Sequence, residues 1–183
     1  MTNISSDPRN AMKIRFPDDK IAHWAERYRQ LQEDADLIAF VPQVRRCGAM
    51  SIDQLRRVAQ WKSPRGAHHV EKTDDDYVRT MTAFALRTTN ERARIEVLTL
   101  LDGVSWPTAS VILHFFHCER YPILDFRALW SVGEEVPSQY TFKFWWDYVR
   151  FCREAADRTG CDMRTLDRAL WAYSEANQPT PVE

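Results

Sequence analysis

Glycine is scarce, five in 183 residues, and no stretch sustains an alternation of apolar and polar residues. Little room is left for the tight turns and half-buried strands of a β-fold, so the sequence predicts an all-α chain. The four cysteines (Cys47, Cys118, Cys152, Cys161) stand far apart with no CxxC pair. That spacing argues against a disulfide framework and against a zinc site, and predicts reduced thiols packed as small apolar residues. Charge of one sign is lacking too: the net charge is −1, and the chain as a whole exerts no pull on nucleic acid. No apolar run approaches the roughly 20 residues that span a bilayer, and the opening MTNISSDPRNAMK has no signal-peptide core. The expectation is a soluble, cytoplasmic protein with no membrane contact.

What is present is globular. Hydrophobic residues make up 44% and aromatics 12%, enough for one helical domain over residues 1–183 with flexible ends at about 1–15 and 176–183. Helical spacing of Ile21, Trp24, Ala25, Tyr28 and Leu31 behind Pro17 predicts a first helix; the segment 37–44 is ambiguous. Ser51 with Gln54 forms a capping-box pattern. Asp74, Asn90, Ser105 and Asp162 stand where caps belong, ahead of further apolar periodicities. Phe142 opens a long aromatic helix stopped at Gly160, in which Phe144, Trp145, Trp146 and Phe151 are expected to build core.

One stretch is less generic. LLDGVSWPTASVILHFFHCERYPILDFRALW (residues 100–130) reads as a helix, a tight hairpin, a second helix, an apolar loop, and an aspartate opening a third helix. Gly103 is free to take a positive φ. The helix that follows turns its unpaired N–H groups outward, a place where phosphate binds without a basic side chain. A chain of near-zero net charge could therefore still grip DNA. The apolar loop Tyr121-Pro122-Ile123-Leu124 delivers a single carboxylate, Asp125. By itself that aspartate reads equally as a helix cap.

The two segments together resemble the helix-hairpin-helix DNA glycosylase superfamily, the group of endonuclease III and the adenine-mismatch glycosylases. Leu101-Asp102-Gly103-Val104-Ser105-Trp106-Pro107-Thr108-Ala109 is similar to that family's Leu-x-Gly-Val-Gly-x-x-Thr-Ala hairpin. Tyr121-Pro122-Ile123-Leu124-Asp125 is similar to its loop ending in the catalytic aspartate, 22 positions after Gly103. The likeness is specific over residues 96–132. It implies a helical fold with two lobes around a cleft, and a hairpin and catalytic segment over 91–132. It further implies Asp125 as catalytic residue, and Gly103, Val104, Ser105, Trp106 and Thr108 as contacts to the DNA backbone. A carboxylate beside the sugar C1′ would stabilise the cation that forms as an N-glycosidic bond breaks. The departures matter as well. Ser105 replaces the second hairpin glycine, Pro107 stands where the lyases carry their lysine, and the iron–sulfur loop is missing. The resemblance thus implies a monofunctional DNA N-glycosylase, with no cofactor, no metal and no lyase chemistry through the hairpin. It would act as a monomer on double-stranded DNA.

A second region supports a DNA cleft. Between residues 41 and 72, seven Lys/Arg face two acids, a local excess of five positive charges. Arg56, Arg57, Trp61, Lys62 and Arg65 are the candidate cleft or pocket residues here, with Arg127 beside the aspartate. Asp125 is expected across the cleft from residues 57–72. Trp106, at the hairpin tip, would stack on a sugar or base, or pack against Phe126 or Trp130; His68 and His69 read as loop surface. Two alternatives compete with the enzyme: a non-catalytic helix-hairpin-helix DNA-binding module and a helical protein-interaction scaffold. An enzyme should expose Asp125 in a polar cleft, whereas a module should bury it as a satisfied cap.

Overall fold

Polar caps start most of the helices at the residues the sequence marks. The computed structural model describes residues 12–179, and among them are ten α-helices, two 3₁₀ turns and no strand. After a 3₁₀ turn at Asp18–Lys20 come α1 (Ile21–Ala25), α2 (Leu31–Ile38), α3 (Val41–Cys47) and α4 (Ile52–Lys62). A second 3₁₀ turn, Ala67–Lys72, leads to α5 (Asp75–Arg87), α6 (Glu91–Leu98) and α7 (Trp106–Phe116). The chain closes with α8 (Phe126–Ser131), α9 (Phe142–Thr159) and α10 (Met163–Asn177). Ser51 and Gln54 complete a reciprocal capping box on α4, and Asp74, Asn90 and Asp162 accept first-turn N–H groups of α5, α6 and α10. Gly160, at φ 70°, ends α9.

One expectation about the helices needs correction. The helix behind Pro17 stops at Ala25, and Leu31, 55% exposed, opens a separate helix. The break follows from Tyr28, whose ring is buried and whose hydroxyl donates to Asp34 of α2 at 3.2 Å. A continuous helix would not turn both residues to the same place. The ambiguous 37–44 segment belongs to two helices meeting at residues 39–40. The helix capped by Asn90 ends at Leu98, and the chain turns from there into the hairpin. The cysteines divide: Cys152 is buried, but Cys47 and Cys118 are exposed.

Helix α7 explains the arrangement. Its sequence WPTASVILHFF is apolar on every side, and such a helix is stable only when surrounded. Residues from Thr108 to Leu113, with Phe115 and Phe116, are all buried. Helices α3, α4 and α6 pack on it, while α10 packs against α1, α8 and α9. The buried apolar side chains form one continuous cluster from Ile14 to Leu170, with Trp145 of α9 fully enclosed. Phe142, Phe144, Trp146 and Phe151 pack against that cluster, as their spacing suggests. At the ends, Lys13 and Arg15 donate backbone hydrogen bonds to Val132 and Ser131 at 2.9 Å; residues 1–11 and 180–183 of the expected flexible ends lie outside the described part.

No helix among the described residues is long and apolar enough to cross a membrane.

Candidate functional site

The loop 121–124 is held by side chains from three helices. The Tyr121 carbonyl accepts from His114 Nδ1 at 2.6 Å. The Ile123 N–H donates to Asp167 Oδ1 at 3.2 Å, and the Ile123 carbonyl accepts from the Tyr148 hydroxyl at 3.3 Å. The Leu124 N–H donates to Ser110 Oγ at 2.8 Å, and that hydroxyl donates in turn to the Pro107 carbonyl at 2.7 Å. All four loop side chains are buried. Four backbone polar groups of an apolar loop are held this way, which favours a single conformation. Asp125 therefore leaves the loop from a fixed point.

The Asp125 carboxylate has two partners. Oδ1 accepts the Arg127 N–H at 2.9 Å, the capping bond of α8. Oδ2 is in contact with Nζ of Lys62, the last residue of α4. The side chains of this pair are only 16% and 11% exposed. Asp125 was expected across a cleft from residues 57–72; instead Lys62 of that segment closes directly onto it. Tyr140 is close enough to feel the charge: burial, with the Asp125 carboxylate adding, pushes its phenol up.

Behind this pair lies a charged network that links the termini. Arg164 of α10 binds Asp34 of α2 and Asp167 of its own helix, and donates to the Tyr28 hydroxyl at 3.1 Å. Arg168 reaches Asp34 at 2.9 Å. Asp34 is fully enclosed and Asp167 is 6% exposed. Burial, with the Asp125 charge adding and Arg164 opposing, pushes the Asp167 carboxyl up to about 6. His114 moves the other way: burial, helped by the positive Arg164, pushes it down to about 3. Neutral His114 with its proton on Nδ1 is what the Tyr121 carbonyl requires.

These opposite shifts set a pH dependence. The unfolded chain takes up a proton on His114 below about 6.5, whereas the folded chain resists it down to about 3. That contribution to stability is lost as pH falls through this window. Asp167 binds its proton more tightly when folded, so its contribution is fully present below about 3.8 and is lost as pH rises through about 6. The two partly cancel between pH 6 and 4. Asp167→Asn removes the compensating group, and its melting temperature should fall more steeply than the wild type's on acidification from pH 6 to 4. Parallel curves would show that Asp167 does not titrate there.

The hairpin is as tight as its sequence predicts, with Gly103 at φ 74°. It packs on the second 3₁₀ turn: a Cβ on Gly103 would stand 2.9 Å from the Val70 backbone nitrogen. Gly103→Ala is expected to lower stability by about 1–2 kcal/mol from the left-handed φ alone, with the close approach adding to it; chemical denaturation measures this. Val104 and Thr108 are buried, and only Ser105 is exposed among the hairpin's five candidate contacts apart from Gly103. Trp106 packs near Trp145 of α9, with ring centroids 6.4 Å apart, rather than against Phe126 or Trp130. Seven helices have Ser, Thr, Asn or Asp at the N-cap, and α7 alone among them lacks a side-chain capping bond. The Ser105 hydroxyl instead faces Thr108 Oγ1 at 3.4 Å.

The remaining candidates do not converge on Asp125. Arg56, Arg57 and Trp61 line a cavity of about 1000 Å³ between α2, α4 and the second 3₁₀ turn. Glu33, Asp36 and Glu71 line it as well, and Arg56 is paired with Asp53 at 2.7 Å. The positive excess along residues 41–72 is thus offset in space by the acids of α2. Arg65 is exposed on the surface, and Arg127 lies over the rings of Phe126 and Trp171. The His68 and His69 rings lie 4.0 Å apart, tilted by 39°. Ser110, His114, Tyr148 and Asp167 escaped the sequence reading. Ser110 and His114, four apart on an otherwise apolar helix, carried a usable signal: two polar groups on one buried face need partners.

Comparison of the chain with family models, curated proteins and solved structures finds no match.

Proposed function

We propose that the chain is a monofunctional DNA N-glycosylase built on a helix-hairpin-helix scaffold, with Asp125 as its catalytic carboxylate. The observation that carries this reading is the Ser110 hydroxyl, which ties Pro107 in the first turn of the hairpin helix to Leu124, the residue before Asp125. Hairpin and carboxylate form one rigid unit, so a backbone phosphate held at the start of α7 sets the position of the sugar relative to Asp125. The first turn of α7 has no side-chain cap, so a phosphate oxygen can take its N–H groups, of which Pro107 supplies none. The two lobes of this scaffold would correspond to the helices packed on α7 and those packed on α10, with the Lys62–Asp125 pair at their junction.

Lys62 gives the site a resting state. While its ammonium touches Asp125, most of the carboxylate's field at the sugar is cancelled. A DNA phosphate competes for the ammonium, and drawing Lys62 away leaves Asp125 to stabilise the sugar cation and orient water. Pro107 supplies no amine, so hydrolysis leaves an intact abasic site.

A second reading has one observation in its favour. Both Asp125 oxygens are engaged and the side chain is 16% exposed, as a non-catalytic DNA-binding module would have it. Incubation with duplexes carrying uracil, mispaired adenine or alkylated purines, followed by alkali, separates the two. Strand cleavage after alkali supports the enzyme; salt-sensitive binding without any cleavage supports the module.

A further inference from the structure

Phe126 follows Asp125 immediately, and at 52% exposure it is one of few large apolar side chains left on the surface. An aromatic ring beside an acidic cap calls for a reason. The backbone that carries the ring is fixed, because the capping bond of Asp125 and the pinned loop before it set the start of α8. The Arg127 guanidinium lies 5.2 Å from the Phe126 ring centroid and 5.0 Å from that of Trp171. Trp171 in turn meets the buried Tyr28 edge-on at 5.3 Å. No carboxylate among the described residues is within ion-pair distance of Arg127. The surface beside Asp125 is therefore an exposed aromatic ring, a cation with no carboxylate of the described residues at ion-pair distance, and a second, half-buried aromatic ring.

We infer that Phe126 enters the base stack of duplex DNA next to the nucleotide presented to Asp125, while Arg127 holds the adjoining phosphate. The inference rests on the reading of the site given above and adds the element that opens the duplex. A base inside a helix cannot bring its C1′ to a protein carboxylate, so it must leave the stack, and the gap it leaves is costly unless filled. A planar ring fills it, since every base offers a π-face. A guanidinium within cation–π reach of two rings still has N–H groups to offer a phosphate oxygen. Both side chains leave α8 at its first two positions, within two residues of the carboxylate.

The test uses the full chain and a short duplex carrying 2-aminopurine beside a single mismatch, whose fluorescence rises when the base unstacks. Wild type and Phe126→Trp are expected to raise the fluorescence at saturation. Phe126→Ala should bind about tenfold more weakly, in line with the loss of one stacked ring, and should give no rise at saturation. Arg127→Ala should keep the rise but bind less steeply with salt, by about one phosphate contact. A half-exposed position tolerates these changes, and unchanged melting temperatures verify that the fold is kept. If Phe126→Ala unstacks the probe as wild type does, the inference is overturned while the glycosylase reading stands. If wild type shows no salt-sensitive binding to the duplex, both fall together.

Discussion

Asp125→Asn is expected to lower base excision by two to four orders of magnitude while leaving DNA affinity within a few-fold of wild type. The magnitude is of the order found when a preorganised electrostatic or acid–base group is removed from an active site. The amide keeps the shape, and its Oδ1 can still accept the Arg127 N–H that caps α8. What it loses is the charge that, on the proposed function, would stabilise a developing sugar cation. It also releases Lys62, whose ammonium is in contact with Oδ2, and a freed ammonium near phosphates favours binding. Single-turnover excision and equilibrium binding on the same duplex report the two effects separately. Equal excision by wild type and variant would make Asp125 a helix cap and nothing more.

Arg164→Leu is expected to be strongly destabilising. Asp34 is wholly enclosed and Asp167 nearly so, and Arg164 neutralises both. Removing one member of a buried ion pair leaves an uncompensated charge and costs about 3–5 kcal/mol. In a chain of this length that corresponds to a fall in melting temperature of roughly 10 °C. Arg168 still reaches Asp34 at 2.9 Å, which limits the damage there, so the strain should concentrate at Asp167 and at the Ile123 N–H it holds. Arg164→Lys should fall between the two, because an ammonium cannot fork to both carboxylates. A melting temperature within about 2 °C of wild type for Arg164→Leu would mean that the two acids find other partners or take up protons on folding.

These effects also show what the sequence could and could not convey. Caps are local, which is why Ser51, Asp74, Asn90, Asp125 and Asp162 sit at helix starts as their neighbours predict. The same holds for Gly103, whose positive φ follows from a hairpin with no spare residues. Pairings across the fold are different. Lys62 and Asp125 are 63 positions apart, and Arg164 and Asp34 are 130 apart; nothing in either neighbourhood names its partner. Charge counted along residues 41–72 gave an excess that α2 offsets only in three dimensions. The break after Ala25 was hidden for a related reason. Tyr28 fits the helical spacing of its neighbours but is drawn instead to the buried Asp34–Arg164 pair. The helical class was legible from local pattern, and the setting of Asp125 was not.

Product analysis on a panel of damaged and mispaired duplexes tests the central claim most directly. The strand should stay whole after incubation with wild type and break at a single base only after alkali, the signature of an abasic site left by hydrolysis. Borohydride present during the reaction should trap no protein–DNA adduct through the hairpin, since Pro107 has no amine. Asp125→Asn on the same duplex should leave the base in place. If folded wild-type protein binds every duplex of the panel and releases no base from any of them, the chain is a DNA-binding module and Asp125 is its helix cap.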